Sequence, residues 1–182
     1  GSADNTWAAF DQNNENIFYY NGNGPNNGVR KVTLSYNGDE LESWTNDKLA
    51  DVPTNEHGEF GIWSITTTPH IADTLVVGYV FARSGQGFDG GLYFYNTTTG
   101  SVIRHVLDGH PIFRFFAVSS QVMFASSAIP YGENGVDTSD PDARGIWRSN
   151  DGGVTWNKVT DSDFSDTIVA NTYTYDSVND IL

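Results

Sequence analysis

The chain contains no cysteine, which excludes disulfide bonds and any metal site built on thiolates. Basic residues are also scarce, with 9 lysines and arginines against 23 aspartates and glutamates and a formal net charge of -14. A surface of that sign repels the phosphates of nucleic acids and of anionic lipids. No apolar run reaches the roughly 18 residues that a membrane-spanning helix needs. We therefore expect neither a nucleic-acid partner nor membrane insertion.

What the chain does contain is a series of short, strand-forming segments. Its 182 residues are 38% hydrophobic and 14% aromatic, which suits one globular domain. The apolar runs, such as TLVVGYVFA (74–82) and IFRFFAV (112–118), are rich in β-branched and aromatic residues. Clusters of glycine, asparagine, aspartate, serine and proline separate them, and no apolar period of about 3.6 residues is present. These features predict an all-β protein.

One pattern, a glycine followed by a strand, a polar turn with glycine and a second strand, recurs three times. The copies are NGVRKVTLSYNGDELESW (27–44), GGLYFYNTTTGSVIRHVL (90–107) and RGIWRSNDGGVTWNKVT (144–160). A second similarity relates AAFDQNNENIF (8–18) to YTYDSVNDIL (173–182), in which Asp11 and Asp176 correspond. The interval between them divides into three units of about 55 residues, close to a four-stranded propeller blade with loop insertions.

We therefore predict a single β-propeller domain over residues 1–182, complete or partial, whose blades each have four antiparallel strands. The predicted blades span 8–60, 61–112 and 113–166, and the start of another spans 167–182. Three blades do not close a ring, since propellers typically have about 4–8. Two explanations remain open: the sequence is a piece of a longer propeller, or two or more copies close one ring.

The stretch RSNDGGVTW (148–156) is the most specific motif in the chain. It fits the pattern S/T-x-D-x-G-x-T/S-W at Ser149, Asp151, Gly153, Thr155 and Trp156. In such a turn the aspartate accepts backbone N–H bonds, the glycine supplies a positive φ, and the tryptophan covers the hairpin. The stretch resembles the Asp-box, or BNR-repeat, propeller superfamily of sialidases, xyloglucanase-like enzymes and sortilin-type receptors. The resemblance implies a structural staple between the third and fourth strands of a blade.

The other two copies of the repeat have lost this motif. NTTTGSVI (96–103) keeps Gly100 but has Thr98 at the aspartate position and Ile103 at the tryptophan position. SYNGDEL (35–41) offers Asn37-Gly38, a hairpin-turn pair in its own right. The motifs indicate fold more than function, because the superfamily includes both enzymes and receptors.

The resemblance also implies where a ligand would bind: beside the loops that join second to third strands and one blade to the next. These loops are long, polar and rich in glycine, which is typical of functional loops. The candidate catalytic carboxylates are Asp89, Asp108 and Glu59. The candidate ligand-binding residues are Arg83, Phe88, His57, His110, Arg114, Tyr131 and Arg144. Aromatic rings beside carboxylates and arginines suit a sugar, and paired carboxylates could hydrolyse a glycosidic bond.

Other site types find less support in the sequence. Glu133, Asp137, Asp140 and Asp142 lie in one loop and could collect Ca²⁺, although their spacing is not that of an EF-hand. No zinc-binding spacing is present, so we expect no metal or organic cofactor apart from that calcium. IFRFF (112–116) resembles the Phe-Arg-Ile-Pro motif of sialidases only poorly, because Arg114 matches but Phe115 and Phe116 replace Ile and Pro, and the acidic surface disfavours an anionic sugar. Arg104 and His105 fall in a fourth-strand pattern and are expected at the surface.

The function implied by resemblance and loops is recognition or processing of a carbohydrate outside the cytoplasm, whether extracellular, at the cell surface or periplasmic. A non-catalytic scaffold that binds a protein is the first alternative, and a structural segment of a large surface protein is the second. The expected partners are a carbohydrate ligand and further blades, supplied by the same chain or by a second copy.

Overall fold

The computed structural model describes residues 7–22, 27–56, 58–83, 87–127 and 145–159. Within these ranges every regular element is a β-strand, which confirms the all-β prediction. The first sheet contains β1 (Ala8–Asp11), β2 (Asn14–Gly22), β3 (Gly28–Asn37) and β4 (Glu40–Ala50), and a small hairpin of β5 (Thr54–Asn55) and β6 (Gly58–Glu59) follows. The middle sheet contains β7 (Gly61–Thr67), β8 (Thr74–Arg83), β9 (Gly87–Asn96) and β10 (Val102–Val106). The third sheet contains β11 (Ile112–Ala117), β12 (Met123–Ser127), β13 (Gly145–Ser149) and β14 (Asn157–Lys158).

Each of the three sheets is an antiparallel meander whose strands lie side by side in chain order. The hairpin between second and third strands therefore lies at the end of each sheet where the first strand begins, which we call the entry end. The hairpins between third and fourth strands lie at the opposite, far end. Neighbouring sheets are aligned, since at the far end the Gln12 N–H donates to Thr67 Oγ1 over 3.1 Å, joining the β1–β2 turn to β7.

The middle sheet is buried on both faces, as the continuous apolar run of β8 requires. Leu75 and Val77 pack in a cluster with residues of the first sheet, such as Tyr19. Val76, which points the other way, packs in a second cluster with residues of the third sheet, such as Phe115. The two clusters hold the three sheets together face to face.

All three copies of the sequence repeat form the hairpin of third and fourth strands. In the second similarity, Asp11 ends β1 and Asn14 begins β2, whereas Asp176 lies outside the described residues. Asp11 comes at the end of β1 because it forms the β1–β2 turn, in which its carboxylate accepts the Asn13 N–H over 2.9 Å. Among the described residues, no helix is long and apolar enough to span a membrane.

Two turn glycines, Gly38 and Gly100, differ in how closely a neighbouring sheet approaches them. Gly38 and Gly100 occupy the third-to-fourth-strand turns of the first and middle sheets with similar φ angles of 63° and 70°. A Cβ atom on Gly38 would meet nothing within 4 Å, whereas one on Gly100 would overlap the Leu49 carbonyl of the first sheet. We expect Gly38→Ala to lower the free energy of unfolding by about 1–2 kcal/mol, the cost of the left-handed backbone alone.

Gly100→Ala should cost roughly 1–3 kcal/mol more, because two backbones must also separate. Urea unfolding of both variants measures the difference. If both variants lose the same free energy of unfolding, the middle-sheet turn does not press on the first sheet in solution.

Candidate functional site

The turn from Ser149 to Trp156 is organised around one carboxylate. Asp151 accepts the N–H groups of Val154 and Thr155 over 3.0 and 2.9 Å, and the hydroxyls of Thr155 and Ser149 over 2.6 and 2.8 Å. The Ser149 hydroxyl oxygen in turn accepts the Gly153 N–H over 2.8 Å. These bonds, led by that from the Thr155 hydroxyl, hold the pKa of Asp151 well below its usual range. The carboxylate therefore stabilises the turn as an anion.

The same turn joins the third sheet to the middle sheet. Trp156 packs against the apolar cluster between them, and its indole N–H donates to the Gly153 carbonyl over 3.1 Å. From the middle sheet, the Arg104 guanidinium donates to the Gly152 carbonyl over 2.5 Å and lies over the Phe94 ring. Arg104, expected at the surface, is thus half-buried between two sheets.

The corresponding turn of the middle sheet uses an amide in place of the carboxylate. Asn96 Oδ1 accepts the N–H groups of Thr98 and Thr99 over 3.0 and 2.9 Å. Asn96, at the end of β9, thus takes the central role that the motif alignment had given to Thr98. Lys31 of the first sheet donates to the Thr97 carbonyl over 3.1 Å. In both cases a cation of the preceding sheet binds a carbonyl of the next turn.

At the entry end, the structure brings two of the predicted carboxylates to one tyrosine. The link after β10 lies against the start of β9, where the Gly109 N–H donates to the Gly90 carbonyl over 3.3 Å. Burial raises the pKa of Tyr93 to about 12, and the nearby carboxylates of Asp108 and Asp89 add to that rise. The Asp108 side chain is 83% exposed. Both carboxylates therefore contribute negative charge around the Tyr93 ring.

An imidazole lies on the same tyrosine. The His105 ring stacks on the Tyr93 ring with centroids 3.9 Å apart, and its Nε2 lies 3.5 Å from Asp108 Oδ1. His105 is an exposed residue, as the sequence predicted, although its side chain is only 28% exposed because the ring packs on Tyr93. Gly91 makes the approach possible, because a Cβ there would overlap the imidazole. The result is a flat aromatic stack beside an exposed carboxylate.

Arg114, a predicted ligand-binding residue, lies where the three sheets meet. Its guanidinium carbon lies 4.1 Å from the centroid of Trp7, which precedes the first sheet. It donates to the carbonyls of Trp63 in the middle sheet and Phe113 in the third, over 3.2 and 2.8 Å. The rings of Trp63 and Phe113 also touch, with centroids 4.8 Å apart. These contacts give Arg114 a structural role at the junction.

His110 lies in the link between β10 and β11. Its ring contacts Trp147 of β13, with centroids 4.5 Å apart, and the Trp147 indole N–H donates to Ser127 Oγ over 3.1 Å. Both rings are half-buried. They add a second partly exposed aromatic surface to the entry end.

The remaining predicted residues are not placed in these contacts. Glu59, Arg83 and Phe88 lie in β6, β8 and β9, but the structure describes only their backbone. The other predicted positions lie outside the described residues, namely His57, Tyr131, Glu133, Asp137, Asp140, Asp142 and Arg144. In the part of the chain that the structure describes, no group of three or more histidine, aspartate or glutamate side chains could hold a metal ion.

Sequence reasoning missed several aromatic residues of the entry end because they lie within or beside strands, whereas the search concentrated on loops. They are Trp7, Trp63, Tyr93, His105 and Trp147. Four of them, Trp7, Trp63, His105 and Trp147, lie within three residues of a strand end on this side of a sheet. Tyr93 lies nearer the far end of β9 and joins the group through its pairing with His105.

We expect Asp151→Asn to destabilise the protein at neutral pH, because the amide keeps one oxygen acceptor and loses the charge. The folded-state pKa of Asp151 is depressed, so its contribution is fully present above the unfolded pKa of about 3.9. That contribution is lost as pH falls from there towards the lower folded pKa. The difference in Tm between wild type and variant should therefore shrink below about pH 4.

Thermal unfolding followed by circular dichroism from neutral pH down to acid measures this convergence. Asp39→Asn, which removes the same charge at an exposed turn of the first sheet, is the control for a change of charge alone. A difference in Tm that stays constant over the whole pH range would contradict the assigned role of the carboxylate.

Arg114→Ala should lower the free energy of unfolding by about 2–4 kcal/mol, since it removes a stacked cation and bonds to two carbonyls. Arg114→Lys should recover less than half of that loss, because an ammonium group has neither the planar fork nor the stacking face. Denaturant unfolding gives both values. Full recovery by lysine would mean that charge alone matters here.

The comparisons with known proteins add no relative to this description. No family model matches the chain, and no curated protein or solved structure matches it either. The assignment of a function therefore depends on the geometry of the described residues and on the Asp-box resemblance of the Ser149–Trp156 stretch.

Proposed function

We propose that the three sheets are blades of an Asp-box-type propeller and that their entry end binds a carbohydrate. The arrangement in support is the contact between first strands: β1 lies beside β7, and β7 lies beside β11. Blades around a common axis place their first strands together in this way. The loops that join second to third strands and one sheet to the next then meet at one end.

The observation that carries the carbohydrate proposal is the grouping of rings and acids at that end. The Tyr93–His105 stack lies beside the exposed Asp108, and the His110–Trp147 pair offers a second ring surface. Rings of this kind cover the apolar face of a pyranose, while a carboxylate accepts bonds from its hydroxyls.

The charge distribution narrows the ligand class. The chain carries a formal charge of -14, and the carboxylates of Asp108 and Asp89 are near enough to Tyr93 to add to the rise in its pKa. An anionic sugar would be repelled, so a neutral or cationic glycan is the better match. The location that goes with this proposal is extracellular, at the cell surface or periplasmic, and its support is the family resemblance.

Recognition fits the geometry better than hydrolysis does. A general acid for glycosidic cleavage works from a shielded, apolar environment that keeps it protonated. Asp108 is 83% exposed, which suits a carboxylate that binds hydroxyls. Asp89 is partly buried and remains the stronger candidate for an acid if turnover is found.

The test is a glycan array followed by titration calorimetry on any glycan that binds. We expect Asp108→Asn to weaken binding about tenfold to a hundredfold, the value of one or two charge-assisted hydrogen bonds. Asp39→Asn, an exposed acid at the far end, changes the net charge equally and should leave binding unchanged.

Three outcomes bear on the proposal. Binding without turnover of the same glycan supports a lectin, and turnover that Asp89→Asn abolishes while binding persists supports a hydrolase. The absence of any glycan signal, with a protein partner recovered by pull-down, would reject the carbohydrate proposal in favour of a scaffold.

A further inference from the structure

An asparagine followed by a glycine is a chemically labile pair. The glycine backbone nitrogen can attack the asparagine side-chain carbonyl, because glycine has no side chain to block the approach. The chain has five such pairs, and three of them lie within the described residues: Asn21-Gly22, Asn27-Gly28 and Asn37-Gly38. The structure separates these three pairs by burial, by bonding and by how closely the neighbouring backbone approaches.

Two of the pairs are held inside the first sheet. Asn21 is 8% exposed, and its side-chain oxygen accepts the Trp7 N–H over 2.6 Å. Gly28 is buried in β3, and a Cβ atom on it would overlap the Ala50 carbonyl of β4. Gly22 and Gly28 also face each other in the register of β2 and β3. Attack in either pair therefore requires these strands to separate first.

The third pair lies at the exposed tip of the β3–β4 hairpin. Asn37 is paired with Glu40, so the loop consists of two residues, Gly38 and Asp39. Asn37 and Gly38 are both exposed, and a Cβ atom on Gly38 would meet nothing within 4 Å. Among the described residues, the Asn37 side chain has no hydrogen-bond partner. This tip can therefore change its backbone conformation without opening the rest of the sheet.

We propose that Asn37 is a site of spontaneous modification, at which the hairpin converts its own asparagine to aspartate and isoaspartate. The Gly38 nitrogen bonds to the side-chain carbonyl carbon of Asn37. The bond from that carbon to the amide nitrogen breaks, and ammonia leaves with the proton of the Gly38 N–H. Water then opens the resulting succinimide ring at either carbonyl. One opening gives aspartate, and the other gives isoaspartate, in which the backbone runs through the former side chain.

The two products change the hairpin in different ways. Aspartate adds a carboxylate beside the exposed acids Asp39 and Glu40, and like charges repel across a strand pair. Isoaspartate lengthens the backbone by one atom, and the length of a loop fixes the register of its hairpin. The pairing of Leu34 with Trp44 beyond the loop is then disturbed, so isoaspartate is the more destabilising product. The reaction needs no ligand and takes place at the far end, so it is independent of the carbohydrate proposal.

Ageing of the folded wild-type protein in mildly alkaline buffer, followed by peptide mapping with mass spectrometry, measures the modified fraction at each asparagine. The rate at Asn37 should exceed the rates at Asn21 and Asn27 at least about tenfold, because the latter two sites react only after local opening. In denaturant the three rates should converge, since no strand then restrains any of the pairs.

Two outcomes of this experiment would overturn the proposal. One is an equal rate at the three sites in the folded protein. The other is an advantage of Asn37 that persists undiminished in denaturant, because the preference would then belong to the local sequence and not to the exposed hairpin tip.

The matched variant is Asn37→Gln, which keeps an exposed amide but moves it one carbon farther from the backbone, where ring closure is disfavoured. Urea unfolding of aged wild-type protein should reveal a second population with a lower midpoint, and aged Asn37→Gln should not. Freshly prepared Asn37→Asp carries the added carboxylate without the longer backbone, so its midpoint should fall less than that of the isoaspartate population. A less stable population in aged Asn37→Gln, or none in wild-type protein that contains isoaspartate, would contradict the proposal.

Discussion

The structure depends on one requirement: the middle sheet must bury both of its faces. Along β8, Leu75 and Val77 pack with the first sheet, and Val76 on the other face packs with the third. A strand of this kind cannot leave either face to water without losing roughly 1.5–3 kcal/mol for each large side chain. One sheet must therefore pack on each side, and this brings the three first strands together at the entry end.

Apolar packing does not by itself fix how the sheets are aligned, because the hydrophobic effect has no direction. Cationic side chains that bond to carbonyls of another sheet fix this alignment. Arg114 makes such bonds at the entry end, and Lys31 and Arg104 make them to the turns at the far end. Three of the chain's 9 lysines and arginines therefore serve contacts between sheets.

The recurring pattern of strands and glycine turns, with its repeat of about 55 residues, was enough to predict four-stranded antiparallel sheets, because strands and tight turns are local structures. The role of Arg104 was not predictable, since the Gly152 carbonyl that it binds belongs to another sheet. Asn96 was missed for a different reason. A motif alignment fixes positions along the chain, whereas a turn can use any nearby side-chain oxygen that reaches its N–H groups. The strand order did predict that Asp89 and Asp108 lie at the same end of the sheets, the entry end.

The two ends of the sheets differ in what their polar groups are bonded to, and this decides where a ligand can bind. At the far end, Asp151 accepts bonds from four donors of its own turn, so most of its acceptor capacity is used within the turn. At the entry end, Asp108 extends into solvent beside a stacked pair of rings. A carboxylate that stabilises a turn is a poor ligand group, while an exposed one beside aromatic surface can exchange water for hydroxyls. The same residue type thus holds the fold at one end and is available for recognition at the other.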